Sequence, residues 1–255
     1  MKVVVLAGGF GTRLGEETVI VPKPMVRIGQ HPILWHILKF YASYGFEEFV
    51  VALGYKAEVV KSFFLQFDYM ASDLTINLAA GTVEQRRRHQ ERWTVHLIDT
   101  GLDTLTGGRV LRLASIIGGE TFMLTYGDGL SDVPLDRLLA YHRVQGKLVT
   151  ITAVAAPARF GGIAFDGDRI VTFAEKHAGG DGWINGGYMV MEPGVLDYLK
   201  GDADSLEVSV LERLARADQL AAYRHAGFWQ CMDTMRDKQA LERLWASAAP
   251  PWKRW

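Results

Sequence analysis

The sequence has a single cysteine, Cys231, among its 255 residues. One cysteine forms no disulfide within its own chain, which excludes the disulfide-stapled domains of secreted proteins and favours a cytoplasmic location. No stretch approaches the roughly 20 apolar residues of a membrane-spanning helix, so we expect no membrane partner. The formal net charge is only −1 at pH 7, and a chain without excess basic residues has no general field for nucleic acid. Any anion that this protein binds must therefore be held at a local site.

Short apolar runs alternate along the chain with segments of helical periodicity. Val3 to Leu6 reads as a buried strand, residues 33–41 carry apolar side chains at helical spacing, and TFMLTYGDG reads as a strand that ends in a Gly-Asp-Gly turn. This alternation predicts an α/β fold with a mostly parallel, doubly wound sheet flanked by helices. A hairpin turning at residues 166–168 and a later strand predict a smaller, partly antiparallel lobe. Because no repeat or linker interrupts the chain, we predict a single domain with two lobes.

A glycine-rich turn follows the first strand, within VVVLAGGFGTRLG from Val3 to Gly15. It departs from the dinucleotide-binding fingerprint, since Leu14 stands where the third glycine belongs and no acidic residue ends a second strand about 20 positions on. It also departs from the Walker A loop, which requires Gly-Lys followed by Ser or Thr. NAD binding and P-loop ATP hydrolysis are therefore disfavoured.

The same turn nevertheless has the chemistry of a phosphate cradle. Its glycines let the backbone approach a ligand closely and turn its N–H groups toward it. Thr12 adds a hydroxyl, and Arg13 adds a planar cation suited to phosphate oxygens. Lys23 follows between two prolines that stiffen its backbone, which suits a second phosphate contact. The alternative interpretation is a tight strand-to-helix turn with a solvated arginine and lysine.

Two aspartates occupy positions suited to a metal ion. Asp128 comes directly after a buried apolar strand, in TYGDG, and Asp233 lies in CMDT. Ligands of open α/β sheets bind beyond the carboxyl ends of strands, and Mg²⁺ prefers a few carboxylates together with water and substrate phosphates. Either aspartate alone is also typical of an ordinary turn or helix cap. The seven histidines show no zinc-like spacing.

Several motifs resemble those of the sugar-1-phosphate nucleotidyltransferases. LAGGFGTRL followed by PKPM resembles the signature of that family. ILWHILKFY, DTG with TGGR, TYGDG, RFGG, INGG, GFWQCMDT and PWKRW are similar, along nearly the whole chain, to its glucose-1-phosphate cytidylyltransferases. The resemblance implies a Rossmann-like α/β fold, dependence on Mg²⁺, and a homo-oligomer. It also implies the reaction of CTP with glucose 1-phosphate to give CDP-glucose and pyrophosphate.

The resemblance assigns roles to particular residues. Residues 1–155 would form mainly the nucleotide-binding lobe, and residues 156–255 mainly the sugar-binding lobe and the C-terminal helices. The implied catalytic residues are Arg13, Lys23 and Asp128, and the implied metal ligands are Asp128 and Asp233. The implied nucleotide-binding residues are Leu6, Ala7, Gly8, Gly9, Phe10, Gly11, Thr12, Arg13, Lys23, Thr104, Arg109 and Asp128. The implied sugar-phosphate-binding residues are Gly161, Glu175, Lys176 and Asn185.

The expected chemistry needs no general base, because a phosphate monoester with a second pKa near about 6 is largely dianionic at neutral pH. Positioning and charge neutralisation would carry the reaction. Thr104 and Arg109 are expected near the cytosine or its ribose; a helix N-terminus with a solvated arginine is the alternative for them.

Departures from the family pattern leave open the identity of the phosphorylated acceptor substrate. His177 and Cys231 stand where the family usually has proline, and SLEVSVLERL replaces a Trp-Glu-x-Glu-Pro-Leu pattern, keeping only Glu207 and Leu211. The alternatives are a cytidylyltransferase for a different phosphorylated acceptor, or a non-catalytic regulatory protein that binds sugar nucleotides. We expect the charge run EQRRRHQER to contribute to an oligomer contact, and GFWQ and PWKRW to pack rather than to bind a cofactor.

Overall fold

A computed structural model describes residues 1–87, 91–155, 162–166, 169–174 and 182–255. The strands in these ranges are β1 (Lys2–Leu6), β2 (Arg27–Ile28), β3 (His31–Pro32), β4 (Glu48–Leu53), β5 (Ser72–Asn77), β6 (Thr82–Arg87), β7 (Thr94–Asp99), β8 (Phe122–Tyr126), β9 (Gly129–Ser131), β10 (Val149–Ala155), β11 (Gly162–Asp166), β12 (Arg169–Ala174), β13 (Trp183–Met191), β14 (Leu220–His225) and β15 (Trp229–Cys231).

The helices are α1 (Glu16–Ile20), α2 (Ile33–Ala42), α3 (Ala57–Met70), α4 (Thr106–Arg112), α5 (Ala114–Ile117), α6 (Leu135–Gln145), α7 (Glu212–Arg216) and α8 (Met235–Trp245). Short 3₁₀ turns cover Thr12–Leu14, Lys23–Met25 and Pro193–Tyr198, and a π-helical turn covers Leu206–Leu211. Within the described ranges, no helix combines the length and the apolar character needed to cross a membrane.

One large sheet organises the described residues, with strand order β10-β14-β12-β11-β13-β8-β1-β4-β7. β1 runs parallel to β4 and β8, and β4 runs parallel to β7. β13 joins this parallel half to the rest by antiparallel pairing with β8. Beyond it, β11 pairs antiparallel with β12 and β13, whereas β10 pairs parallel with β14. The predicted α/β class is confirmed, and the partly antiparallel region extends the same sheet.

Both faces of the parallel half are buried, as β1 illustrates. Val3 and Val5 belong to the core on the face covered by α2, whereas Val4 and Leu6 belong to the core on the face covered by α4. Successive residues of a strand point to opposite faces. A strand that is buried on both faces therefore reads as a continuous apolar run, which explains the sequence VVVL.

The C-terminal aromatic segment packs into the core beside α2. Trp252 is fully buried. Its ring stacks on Trp245 of α8, with centroids 6.2 Å apart, and on Phe228, with centroids 5.6 Å apart. These contacts confirm the prediction that PWKRW and GFWQ serve packing.

Strands β5 and β6 form an antiparallel hairpin that is absent from the predicted elements. Leu74, Ile76 and Leu78 alternate with polar residues in the sequence, which is the period of a strand. In the structure Leu74, Ile76 and Val83 on this hairpin are exposed. The charge run EQRRRHQER begins within β6, and its residues 88–90 lie outside the described part of the chain.

His36 on α2 is fully buried and is held in its neutral form. Its Nε2–H donates to the Ile28 carbonyl at 2.9 Å, and its Nδ1 accepts a hydrogen bond from Trp252 Nε1 at 3.4 Å. Burial, with a smaller contribution from His31, lowers the pKa of His36 to about 4 from its ordinary value of 6.5.

We expect His36 to make the protein less stable as the pH falls below 6.5. Between pH 6.5 and pH 4 the unfolded chain carries a proton on this imidazole that the folded protein does not carry. The unfolded state is therefore favoured progressively in that window. The loss reaches roughly 3 kcal/mol at about pH 4, at 1.36 kcal/mol per unit of pKa difference. Urea unfolding gives the free energy of unfolding of the wild type and of His36→Gln between pH 7 and pH 4. The contribution of His36 is the difference between the two proteins in how steeply this free energy falls with pH.

His96→Gln is the matched control for this measurement. His96 is partly exposed on β7, with its Nε2 3.5 Å from Glu48, so its replacement removes one histidine and leaves the buried surroundings of His36 intact. The same pH dependence in His36→Gln as in the wild type would contradict the prediction.

Candidate active site

A cavity of about 460 Å³ opens at the carboxyl ends of β1 and β8. Its walls include the glycine-rich loop after β1, the segment that leads into α4, and the turn after β8. Ligands of open α/β sheets bind at such strand ends. The predicted nucleotide-binding residues that line the cavity are Leu6, Ala7, Gly8, Gly9, Phe10, Gly11, Lys23, Thr104, Arg109 and Asp128.

Thr12 and Arg13 are the two predicted nucleotide-binding residues that do not line this cavity. Both lie in the 3₁₀ turn that follows the glycine-rich loop, where Thr12 is exposed. The side chain of Arg13 lies outside what the structure describes. Its contact with phosphate stays a prediction.

The glycine-rich loop packs closely against Lys23. Gly11 has a positive φ of 64°, a conformation that glycine adopts without strain. A Cβ at this position would lie 3.0 Å from the Cβ of Lys23 and 3.1 Å from Cγ2 of Thr18. The loop can follow this path because its glycine adds no side chain. The stem of Lys23 and the loop thus form one wall.

The two predicted metal ligands converge although 105 residues separate them from each other in the chain. Asp128 directly precedes β9, which pairs antiparallel with β15 and sets Gly129 opposite Cys231. The backbone N–H of Met232 then donates to the carbonyl of Asp128 at 2.8 Å. This short ladder places Asp233, the next residue, beside Asp128.

Lys23 joins the two carboxylates. Its Nζ lies 2.5 Å from Oδ2 of Asp128 and 2.5 Å from Oδ1 of Asp233. The side chains of Lys23 and Asp233 are each only 10% exposed. Burial acts to lower the pKa of Lys23, but the two aspartates outweigh it and raise this pKa above its ordinary value. The lysine is therefore a charged ammonium shared by two acidic groups.

A capping box at the start of α8 fixes the backbone at Asp233. Asp237 Oδ2 accepts hydrogen bonds from the N–H groups of Asp233 (3.1 Å) and Thr234 (2.9 Å). The side chain of Thr234 in turn accepts from the N–H of Asp237. The TMRD sequence is of the capping-box kind. Asp237 positions the second carboxylate through this cap, a role that the sequence alone did not assign.

The carboxylate pair fits a hard divalent cation. Two carboxylate oxygens lie within contact distance of one ammonium, so both face the same point. Among the described residues, no group of three or more His, Cys, Asp and Glu side chains could hold a metal. The two carboxylates are hard oxygen donors of the kind that such a cation prefers.

Cys231 lies next to this cluster and is inert. It is buried in β15, and burial, with the nearby Asp233 and Asp128, raises its pKa to about 12. Thiols react as thiolates, so Cys231 has no nucleophilic role here.

Arg109 is buried and makes its contacts with the protein itself. Its guanidinium donates to the carbonyls of Leu53 (3.0 Å), Gly101 (2.7 Å), Gly8 (3.1 Å) and Leu102 (3.2 Å), and to the Thr100 hydroxyl (2.7 Å). A solvated arginine, the alternative from the sequence, is therefore wrong. The guanidinium holds the glycine-rich loop against the end of β4 and against the segment leading into α4.

Tyr126, Thr106 and Glu207 form a network at the cavity that the sequence analysis missed. The Glu207 carboxylate accepts from the Tyr126 hydroxyl at 2.5 Å, from Thr106 at 2.7 Å and from Ser205 at 2.8 Å. Burial and the neighbouring Glu207 raise the pKa of Tyr126 well above its ordinary value, so the hydroxyl stays protonated. Tyr126 and Thr106 lie within the quoted motifs TYGDG and TGGR, which were the available signal.

Only one of the four predicted sugar-phosphate-binding residues lies within the part of the chain that the structure describes. Asn185 lies on β13, where its Oδ1 accepts from the N–H of Gly187 at 2.9 Å and its side chain contacts the Tyr126 hydroxyl. Gly161, Glu175, Lys176 and the neighbouring His177 lie outside the part that the structure describes. Asn185 is thus connected to the cavity through Tyr126.

The chain matches a known protein family and curated proteins over nearly its whole length. The family described as Nucleotidyl transferase matches residues 2–234. The chain is 44% identical to the glucose-1-phosphate cytidylyltransferase of Salmonella typhi over 256 aligned positions, which cover 100% of both chains.

Two solved structures share the fold. HddC from Yersinia pseudotuberculosis superposes with a TM-score of 0.76 at 20% identity, covering 96% of this chain and 99% of that one. A UDP-glucose pyrophosphorylase complexed with UDP-glucose superposes with a TM-score of 0.73 at 16% identity, covering 96% and 97%. The similarity to glucose-1-phosphate cytidylyltransferases is confirmed over the full length, and the chain belongs to the nucleotidyl transferase family.

Proposed function

We propose that this enzyme transfers a cytidylyl group from CTP to α-D-glucose 1-phosphate, giving CDP-glucose and pyrophosphate. The full-length identity of 44% to an enzyme named for this reaction supports the substrates. The observation that carries the chemistry is the lysine–aspartate cluster at a cavity walled by a glycine-rich loop.

The reaction is a displacement at the α-phosphorus of CTP. An oxygen of the sugar phosphate forms a bond to this phosphorus, and the bond from the phosphorus to the oxygen bridging to the β-phosphate breaks. The bonding electrons leave with pyrophosphate. The attacking phosphate is largely dianionic at neutral pH, because its second pKa is near about 6. No residue is therefore needed to remove a proton.

The difficulty that the enzyme must overcome is the repulsion between two polyanions. Lys23 supplies a charged ammonium at the cavity, and the glycine-rich loop supplies a backbone that approaches the phosphates closely. Arg13, next in the chain to that loop, is assigned to the triphosphate and the departing pyrophosphate. Tyr126 and Asn185 connect the nucleotide side to the sugar side, where Gly161, Glu175 and Lys176 are assigned to the sugar phosphate.

Asp128 and Asp233 would hold the divalent cation, which we take to be Mg²⁺. When bound, this ion supplies positive charge that neutralises the phosphate oxygens of the substrates. The two aspartates are acceptors only, and their convergence beside the cavity makes them the described groups best placed for this role.

The test is a substrate panel measured by pyrophosphate release and by identification of the product. CTP, UTP, GTP and dTTP are crossed with the 1-phosphates of glucose, galactose and mannose in the presence of Mg²⁺. CTP with glucose 1-phosphate should have the highest kcat/KM of all pairs.

The other outcomes separate the alternatives. A preference for CTP with another acceptor would replace glucose and keep the nucleotide. Binding of CDP-glucose without pyrophosphate release from any pair would instead indicate the non-catalytic regulatory protein.

We also propose that the enzyme is a cytoplasmic homo-oligomer. The described part of the chain exposes Leu65, Tyr69 and Met70 on α3, close in sequence to exposed Ile76 and Leu78 of the β5–β6 hairpin region. A second copy of the chain would cover such apolar side chains. A sedimentation velocity experiment that finds only monomer at micromolar concentration would contradict this assembly.

A further inference from the structure

Lys23 occupies the point where a cation shared by Asp128 and Asp233 must lie. Its Nζ is 2.5 Å from an oxygen of each carboxylate. An ion with these two oxygens as ligands sits about 2.0–2.1 Å from each when it is Mg²⁺. An ammonium in contact with the same oxygens would overlap such an ion and repel it. The two cations therefore exclude each other.

The ammonium has a clear role while no metal is bound. Asp233 is almost completely buried, and Asp128 lies beside it with 28% of its side chain exposed. Two adjacent carboxylates removed from water repel each other and require a positive partner. Lys23 provides that charge, and so it keeps the two acidic groups together.

The same lysine also reaches the nucleotide side of the cavity. It lines the cavity, and its Cβ and Cδ lie 3.0 Å and 3.7 Å from the position of a Cβ on Gly11. Pro22 and Pro24 hold its backbone, while its four-carbon stem stays flexible. The ammonium can therefore turn from the carboxylates toward the glycine-rich loop without movement of the main chain.

We propose that Lys23 is an exchangeable internal cation, which neutralises Asp128 and Asp233 in the metal-free enzyme and leaves them for substrate phosphates when a divalent cation binds. The identity of those phosphates rests on the proposed function, whereas the exchange at the carboxylates does not. By linkage, an anion that draws Lys23 away tightens the binding of the metal, and the metal tightens the binding of the anion by the same factor.

The test uses Mn²⁺ alone as the probe, titrated without nucleotide or sugar phosphate and followed by its paramagnetic resonance signal. Lys23→Met should bind Mn²⁺ about tenfold more tightly than the wild type, in the range typical of such coupling. The same variant should turn over poorly, so metal affinity and activity change in opposite directions. A lysine whose only role is to support the fold would produce no tighter binding.

Two further variants locate the effect. Lys39→Met removes the same charge at a distant ion pair with Glu91 (2.6 Å) and should leave the affinity for Mn²⁺ unchanged. The double variant of Lys23→Met and Asp128→Asn should not show the tighter Mn²⁺ binding of Lys23→Met, because one of the two carboxylates is then replaced by a neutral amide.

A measurement on the wild type covers the case in which Lys23→Met fails to fold. Amine acetylation followed by mass spectrometry should label Lys23 several-fold faster with saturating Mg²⁺ than without it, while the labelling of Lys39 stays constant. Three results would overturn the exchange. They are Mn²⁺ binding by a folded Lys23→Met that is equal to or weaker than that of the wild type, no Mn²⁺ binding by either protein, and a rate of Lys23 labelling that Mg²⁺ does not change. These outcomes involve no CTP or sugar, so they leave the proposed reaction untouched.

Discussion

Asp128→Asn is expected to lower kcat by about 10³-fold or more, which is about 4 kcal/mol of lost transition-state stabilisation. The substitution keeps the shape of the side chain and one acceptor oxygen, but it removes the negative charge that Lys23 contacts at 2.5 Å. A neutral amide is a poor ligand for a hard divalent cation compared with a carboxylate. The pyrophosphate-release assay with CTP, Mg²⁺ and glucose 1-phosphate measures the loss.

Asp132→Asn is the matched control for this variant. Asp132 follows β9, and its Oδ1 lies 2.7 Å from Nε2 of His225. It does not line the cavity. Its replacement is expected to leave kcat close to that of the wild type. Turnover near the wild-type rate in a folded Asp128→Asn, as judged by its melting temperature, would reject the assignment of Asp128 to the metal.

Arg109→Met is expected to lower the free energy of unfolding by about 3 kcal/mol or more, because each buried acceptor left without a donor costs about 1–3 kcal/mol. Methionine has a similar length but donates no hydrogen bonds, so the buried oxygens that now accept from the guanidinium lose a donor. The glycine-rich loop would also lose the contact that fixes the Gly8 carbonyl. We therefore expect weaker CTP binding as well as lower stability, measured by urea unfolding and by titration calorimetry.

Two variants separate positioning from general stability. Arg112→Met, on the same helix, removes an exposed pair with Asp202 (2.6 Å) and should change both quantities much less. Arg109→Lys keeps the charge but lacks the planar fork that reaches several acceptors at once. It should recover part of the stability and little of the affinity for CTP. Unchanged CTP affinity in folded Arg109→Met would show that Arg109 supports the fold without positioning the loop.

Much of the fold could be predicted because its signals are local. The buried strand VVVL, the helical spacing of residues 33–41 and the strand before TYGDG are all visible in short windows. Hairpin β5–β6 was not predicted although Leu74, Ile76 and Leu78 alternate with polar residues at the period of a strand. These apolar side chains are exposed, so the pattern does not mark a strand that faces the core.

Some features of the candidate site could likewise be predicted from local sequence, whereas others could not. The glycine-rich loop, Lys23 and Asp128 could be proposed as site residues from residue types alone, and the structure brings them to one cavity. The hydrogen bond between Tyr126 and Glu207 was not predicted, because it joins positions 81 apart in the chain. A spacing of that length has no local pattern.

The sequence by itself determined which chemical groups the protein has: a flexible glycine-rich turn, a lysine stiffened by prolines, and acidic residues at strand ends. Only the tertiary structure decided what those groups face. The β9–β15 ladder brings Asp233 to Asp128, and Lys23 then neutralises both. Arg109 is turned away from solvent to hold four backbone carbonyls. The physical reason is that a charge is compensated by whatever lies within a few ångströms of it, and long-range strand pairing sets those neighbours.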